Sequence, residues 1–192
     1  MKRTHTFALG VLASVVFAAP VFAADAKHPK VAIVTTAGTI VVQLDAVHAP
    51  ISTANFLKLV DHKKYNGASF YRSVNKTEEP GSQIEVIQGG LQANAAPDKI
   101  PLEKTTTTGL HNVNGAIAMA RTGDPNSGSS EFFIDVGDDT FLDSDKQADG
   151  NGYAVFGHVV DGMETVLRIN HLPTQGQYFA TPIRIIAMRR VK

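Results

Sequence analysis

The sequence predicts a mainly β domain, a sandwich or barrel of about eight short strands with two helices. Three observations carry that prediction. Short runs rich in Val, Ile, Thr and Phe recur between glycine-containing turns. Only two stretches carry apolar residues at helical spacing. The first and last strands are both strong, so pairing them would close the sheet and remove two exposed edges.

Taken in order, Lys30 to Thr36 and Thr39 to Leu44 read as two strands, with Ala37-Gly38 as a two-residue hairpin between them. Pro50 suits the first turn of a helix, where its missing N–H would have no partner anyway. Ile51, Ala54, Phe56, Leu57 and Val60 follow at helical spacing, and Gly67 ends the segment. Ala68 to Val74, Glu85 to Gln88, Ala116 to Ala120, Phe132 to Val136 and Ala154 to Val159 are the next strands. Gly162 opens a second helix with Met163, Val166, Leu167 and Asn170 on one face, and Ile183 to Val191 is the last strand. The longest irregular stretches are Asn75 to Ile84, Gln92 to Leu110 and Asp138 to Gly152. Loops of that length are usually functional or disordered.

Composition narrows the function classes. A chain of 192 residues, 43% hydrophobic and 19% charged, is of ordinary globular type. Eighteen basic and 18 acidic residues leave no net charge, so the basic excess of a nucleic-acid binder is missing. There is no cysteine, which rules out disulfides, thiolate metal sites and cysteine nucleophiles. The first 24 residues read as a secretory signal peptide: Lys2 and Arg3, then an apolar run from Phe7 to Phe17, then Val21-Phe22-Ala23 as a cleavage signal. Cleavage is expected after Ala23, with Ala24 as second choice. The apolar run is too short to span a bilayer. Removing Lys2 and Arg3 leaves 16 basic and 18 acidic residues, a net charge near −2. A periplasmic location, one domain over residues 25–192, no membrane association after cleavage and a monomer are the expectations.

Several catalytic patterns fail on spacing. The seven histidines are scattered without a His-Glu-x-x-His pair. Asp143, Asp145 and Asp149 approach a calcium-loop spacing, but Ala148 and Ala154 stand where a glycine and a bidentate Glu are needed. Ser129 and Ser130 have no Gly-x-Ser-x-Gly elbow, and Gly123 and Gly128 no following Lys-Ser/Thr. Asn75-Lys76-Thr77 is a glycosylation sequon that has no evident use in a bacterial setting.

What remains is a set of segments in one order: Phe70-Tyr71-Arg72, Gln88-Gly89-Gly90, Asn114 to Arg121, Ser130-Glu131-Phe132-Phe133-Ile134, Phe141-Leu142 and Tyr153-Ala154-Val155-Phe156-Gly157. Singly, each has a bland reading: a surface arginine, a turn, a core strand. Together they resemble the cyclophilins, most closely bacterial periplasmic members, from about Val31 to Val191. The resemblance implies a closed eight-stranded antiparallel barrel capped by two α-helices. It also implies peptidyl-prolyl cis-trans isomerase activity on proline-containing polypeptides, with no cofactor and no metal.

That reaction breaks no covalent bond. The X–Pro amide rotates over a barrier of about 18–20 kcal/mol because its C–N bond has partial double-bond character. In the twisted state the prolyl nitrogen becomes pyramidal and regains a lone pair. A fixed donor aimed there binds the transition state and not the planar ground state. By resemblance Arg72 is that donor, a permanently charged guanidinium. Gln88 would bond the substrate backbone and help position Arg72. Phe133 would floor an apolar proline pocket with Val86, Leu142 and Tyr153 around it. Ala120, Arg121 and Glu131 would line the adjoining groove, and Phe141 matches a position that often carries tryptophan. A ten-thousandfold acceleration needs about 5.4 kcal/mol, whereas one charged hydrogen bond supplies about 1.5–3. Arg72 therefore needs a sheltered pocket as well.

Three features depart from the family pattern. Arg72 and Gln88 are 16 positions apart, so Asn75 to Ile84 is read as an inserted loop. Glu85 and Val86 stand in place of a Phe-Met pair, thinning the pocket wall and adding a charge. Glu131 replaces a glutamine and is expected to form a salt bridge with Arg72 or Arg121. Glu85 and Glu131 are also the grounds for an alternative function, a proline-binding chaperone module with weak or no turnover.

Overall fold

A computed structural model describes residues 25–91 and 98–192; the segment read as a signal peptide lies outside them. Nine strands occur among the described residues: β1 (Lys30–Thr35), β2 (Gly38–Leu44), β3 (Ser69–Val74), β4 (Val86–Gly90), β5 (Ala116–Met119), β6 (Phe132–Asp135), β7 (Ala154–Asp161), β8 (Thr174–Gln175) and β9 (Tyr178–Val191). Eight of them form a closed antiparallel ring in the order β1-β2-β7-β5-β6-β4-β3-β9, which β9 completes by pairing with β1. The two-residue β8 lies outside the ring, on β9 alone. The helices are α1 (Pro50–Asp61), α2 (Thr105–Thr108) and α3 (Met163–Asn170). The expected closed eight-stranded barrel with two main helices is therefore present.

Strand alternation sorts the side chains into two apolar clusters. Successive strand residues point to opposite faces, so Phe132 and Ile134 of β6 enter the barrel interior while Phe133 points outward. The interior cluster joins Ile33, Val42, Phe70, Ile87, Ile117, Phe132, Ile134 and Phe156 to Phe56 of α1 and Val166 and Ile169 of α3. Phe132 is its hub, meeting Phe56, Tyr65 and Phe70 edge to face at 5.5, 5.7 and 5.6 Å. Such pairs add to plain area burial. A smaller cluster on the outer face of the sheet contains Val74, Val86, Ala116, Ala118, Phe133, Leu142 and Val155. The candidate residues Val86, Phe133 and Leu142 belong to that outer cluster.

Several local expectations need correction. The hairpin turn is Thr36-Ala37, with Gly38 (φ 141°) already in β2. A Cβ at Gly38 would fall 2.6 Å from the Thr165 hydroxyl of α3, so the glycine serves that close approach. In α1 the buried residues are Ser52, Thr53, Phe56, Leu57, Leu59 and Val60, and Ile51 is exposed instead. In α3 the buried positions are Thr165, Val166, Ile169 and Asn170, with Leu167 exposed. Asn170 is drawn inward because its amide donates to the Ser73 hydroxyl and the Val74 carbonyl at 3.0 Å each. The last strand begins at Tyr178, five residues before the expected Ile183, and runs through Pro182. Proline ordinarily marks a strand edge or start, which is why the sequence reading stops there.

Candidate active site

Arg72 owes its direction to a bulge. In β3 the register shifts between Phe70 and Arg72, which pair with Gly89 and Gln88 of β4. Phe70 points into the barrel, and Tyr71 is the extra residue. Strict alternation would send Arg72 inward after Tyr71. The bulge re-aims the strand, as such insertions do, and leaves both Tyr71 and Arg72 on the outer face beside Gln88. The two glycines after Gln88 have separate reasons. A Cβ on Gly89 would lie 2.6 Å from the Ser69 carbonyl, and one on Gly90 would lie 2.6 Å from the Glu131 carboxyl.

Polar contacts fix the guanidinium on two sides. Arg72 Nη1 donates to Gln88 Oε1 at 2.7 Å. Arg72 Nε donates to Gln177 Oε1 at 2.9 Å, and Nη2 donates to the same oxygen. Of the five N–H donors of a guanidinium, these bonds use three; the other two, one on each terminal nitrogen, have no partner among the described residues. Gln88 Nε2 donates to the Tyr71 hydroxyl at 2.8 Å, which donates to Glu131 Oε2 at 2.7 Å. Partial burial raises the Tyr71 pKa, and the bond to Glu131 raises it further, so the phenol stays protonated and can donate. The expected salt bridge from Glu131 to Arg72 or Arg121 is replaced by this bond. Arg121 instead donates to the Gly152 and Thr122 carbonyls and to Asp149, with its guanidinium 4.9 Å from the centre of the Tyr153 ring.

A cavity lies next to these donors, with apolar side chains on one side of it. A cavity of about 150 Å³ is lined by Arg72, Ile84, Val86, Gln88, Ala120, Arg121, Phe133, Leu142 and Tyr153. Phe133 forms its floor and meets Tyr153 edge to face at 5.5 Å. The structure thus gathers eight of the ten sequence-predicted residues around one space. Glu131 lines a neighbouring groove of about 610 Å³, together with Tyr71, Gln88, Ala120, Arg121 and Tyr178. Phe141 lines neither cavity; it is exposed on a short 3-10 turn, Thr140–Leu142. Ile84 closes the wall that the sequence leaves thin. Glu85 is not among the lining residues, and its carboxylate lies toward Gly137 and Asp139. Sequence reasoning missed Ile84, Tyr178 and Gln177, because no local pattern ties them to Arg72. Among the described residues no group of three or more His, Asp or Glu side chains could hold a metal ion.

A closed eight-stranded barrel with an arginine beside a cavity on its outer face defines a class. Residues 30–190 match the family described as "Cyclophilin type peptidyl-prolyl cis-trans isomerase/CLD", and the chain belongs to that family. It is 36% identical to peptidyl-prolyl cis-trans isomerase A of Dickeya dadantii over 100% of this chain and 97% of the relative. It is 37% identical to peptidyl-prolyl cis-trans isomerase B of Escherichia coli over 73% of this chain and 83% of the relative. Its fold matches a crystal structure of a Cryptosporidium parvum cyclophilin type peptidyl-prolyl cis-trans isomerase, with a TM-score of 0.72 at 22% identity, covering 86% of this chain and 98% of the other.

Truncating the cavity floor should separate binding from folding. If the cavity takes the substrate proline, Phe133→Ala is expected to lower kcat/KM for a proline peptide at least tenfold, because the ring lining that cavity is gone. Phe133 belongs to the outer cluster and Phe132 to the interior one. Phe132→Ala should therefore cost more stability, at about 3–5 kcal/mol, and urea melts of the two variants check the contrast.

Proposed function

We propose that the protein is a peptidyl-prolyl isomerase that speeds X–Pro rotation in exported polypeptides, and that it works in the periplasm after loss of its signal peptide. One observation carries the catalytic part: a guanidinium with two N–H donors that have no partner among the described residues lines a cavity of about 150 Å³ walled by Val86, Phe133, Leu142 and Tyr153. The cavity would hold the ring by its faces, through Phe133, Val86, Leu142 and Tyr153. The amide just outside would stay free to turn, and its nitrogen lone pair would develop toward Arg72. Gln88 would bond the substrate backbone while holding Arg72 Nη1. The groove along Ala120, Arg121 and Glu131 would take the residues before proline.

Partial burial is the shelter that the arithmetic requires. Donors that are fixed before reaction and partly removed from water stabilise developing charge more than free ones do. Pre-bonding to Gln88 and Gln177 means that little reorganisation is left for the reaction. The chaperone alternative rested on Glu85 and Glu131, and neither points a carboxylate into the proline cavity.

The exchange rate of a cis-proline peptide, followed with and without wild-type protein, tests the catalytic part. An acceleration of at least a thousandfold at saturating substrate is expected; none would remove the isomerase reading. For export, fractionation of a bacterial host expressing the full chain, with N-terminal sequencing, should recover a periplasmic form beginning at Ala24 or Asp25. Recovery of uncut protein in the cytoplasm alone would remove that part.

A further inference from the structure

The loop from Asn75 to Ile84 is long, and apart from Ile84, which lines the cavity, nothing in the isomerase site as described uses it. It nevertheless reaches the reactive arginine through one intermediary. Gln177 Nε2 donates to Glu79 Oε2 at 2.9 Å, while Gln177 Oε1 accepts from Arg72 Nε and Nη2. Gln177 sits in the β8–β9 turn, and its carbonyl accepts from the Ser73 amide at 2.8 Å, which fixes the turn against β3. Glu79 is anchored in turn: its amide donates to the Asn75 carbonyl at 2.8 Å, and Asn75 is tied to the end of α3 through the Asn170 carbonyl.

We propose that Gln177 and Glu79 are positioning residues for Arg72, and that orienting the guanidinium is the role of the inserted loop. This rests on the isomerase reading for its kinetic consequence, not for its structural one. The chemistry of the partners leaves a single arrangement. A carboxylate only accepts and a guanidinium only donates. The amide of Gln177 between them must therefore turn its nitrogen to Glu79 and its oxygen to Arg72. The other arm follows the same rule, with Gln88 turning its oxygen to Arg72 and its nitrogen to Tyr71, which ends on Glu131. Arg72 is thus held between two amides, each oriented by a chain that ends in a carboxylate. Rotation about the long arginine side chain is blocked from both sides, and the two remaining N–H donors keep one direction. Removing one arm lets the guanidinium swing while the pocket stays intact.

Three variants test this. Gln177→Ala is expected to lower kcat about tenfold, with KM within twofold and an unchanged melting temperature. Gln177→Glu should also lose activity, because it sets two carboxylates face to face. The double variant Gln177→Glu/Glu79→Gln should recover most of it, since the acceptor for Arg72 is kept and the donor now comes from position 79. Independently of turnover, the Arg72 Nε–H resonance in a 1H–15N spectrum, identified by its loss in Arg72→Lys, should be sharp in the wild type. It should broaden or vanish in Gln177→Ala. An unchanged kcat with an unchanged resonance in Gln177→Ala would overturn the proposal, as would a double variant no better than Gln177→Glu alone. If the wild type shows no isomerase activity but the resonance still depends on Gln177, the positioning holds and the isomerase reading falls.

Discussion

Replacing Arg72 with alanine is expected to reduce kcat/KM for a cis-proline peptide by two orders of magnitude or more, with little change in the melting temperature. The size follows from what is lost. A hydrogen bond to a charged donor is worth about 1.5–3 kcal/mol, and a hundredfold is about 2.7. Arg72 lies on the outer face of the sheet, outside the interior cluster, so folding does not depend on it. Arg72→Lys should recover little, since an ammonium cannot bond Gln88 and Gln177 at once and still face the cavity in a planar fork. Stopped-flow exchange measurements with both variants decide the matter. Activity equal to wild type in Arg72→Ala would transfer the chemistry to another group.

A second large effect concerns stability and pH. Asp135 ends β6 fully buried, and neither carboxyl oxygen receives a hydrogen bond from a donor group of the described residues; its polar neighbour is the Asp139 carboxylate, to which only the protonated acid can donate. Burial pushes its pKa well above the ordinary carboxylate range, and the charges of Asp139 and Asp143 push it further. Asp139 is raised as well, mainly by burial, against the opposing bonds from the Glu85 amide and the charge of Lys76, whose Nζ is 3.9 Å away. The sign follows from proton counting. A carboxyl that is raised in the folded state keeps its proton where the unfolded chain has released its own. Its stabilising effect is complete below the unfolded pKa, near 3.9, and is lost as pH climbs to the folded value. In that window each such group lowers stability by about 1.4 kcal/mol per pH unit. Asp135→Asn keeps the shape and removes the ionisation. Its melts should show a flatter pH profile and a higher melting temperature at neutral and alkaline pH. A slope equal to that of the wild type would show that Asp135 is not the group responsible.

Much of the fold was legible because its signals are local. Alternating β-branched runs, Pro50 at a helix start and turn glycines each act within a few residues. They placed every strand of the ring to within a few positions, apart from the start of β9. Arg72, Gln88 and Phe133 were legible for a different reason: their motifs recur together in one order. What stayed hidden depends on pairing between distant segments. No window of sequence shows that Tyr71 bulges out of β3, because the bulge exists only relative to β4. Nor does one show Gln177, 105 residues from Arg72, in a turn after a two-residue strand. The buried faces of α1 and α3 were misread for a similar reason. Ser52 and Thr53 of α1 and Thr165 of α3 go inward because they are small, and hydrophobic periodicity alone ranks Ile51 and Leu167 above them. The partners chosen for Glu131 followed charge, whereas the fold offered a nearer phenol.

The ring is closed by its first strand pairing with its last, and the arm that steadies Arg72 from the far side comes from the turn that opens that last strand. A ribosome makes the chain from the N-terminal end, so the guanidinium and the pocket floor emerge well before the turn that completes them. An unfinished or C-terminally clipped chain would own most of the active-site residues and yet lack the geometry. On the proposed role of Gln177, the orientation of Arg72 is thereby tied to completion of the last strand.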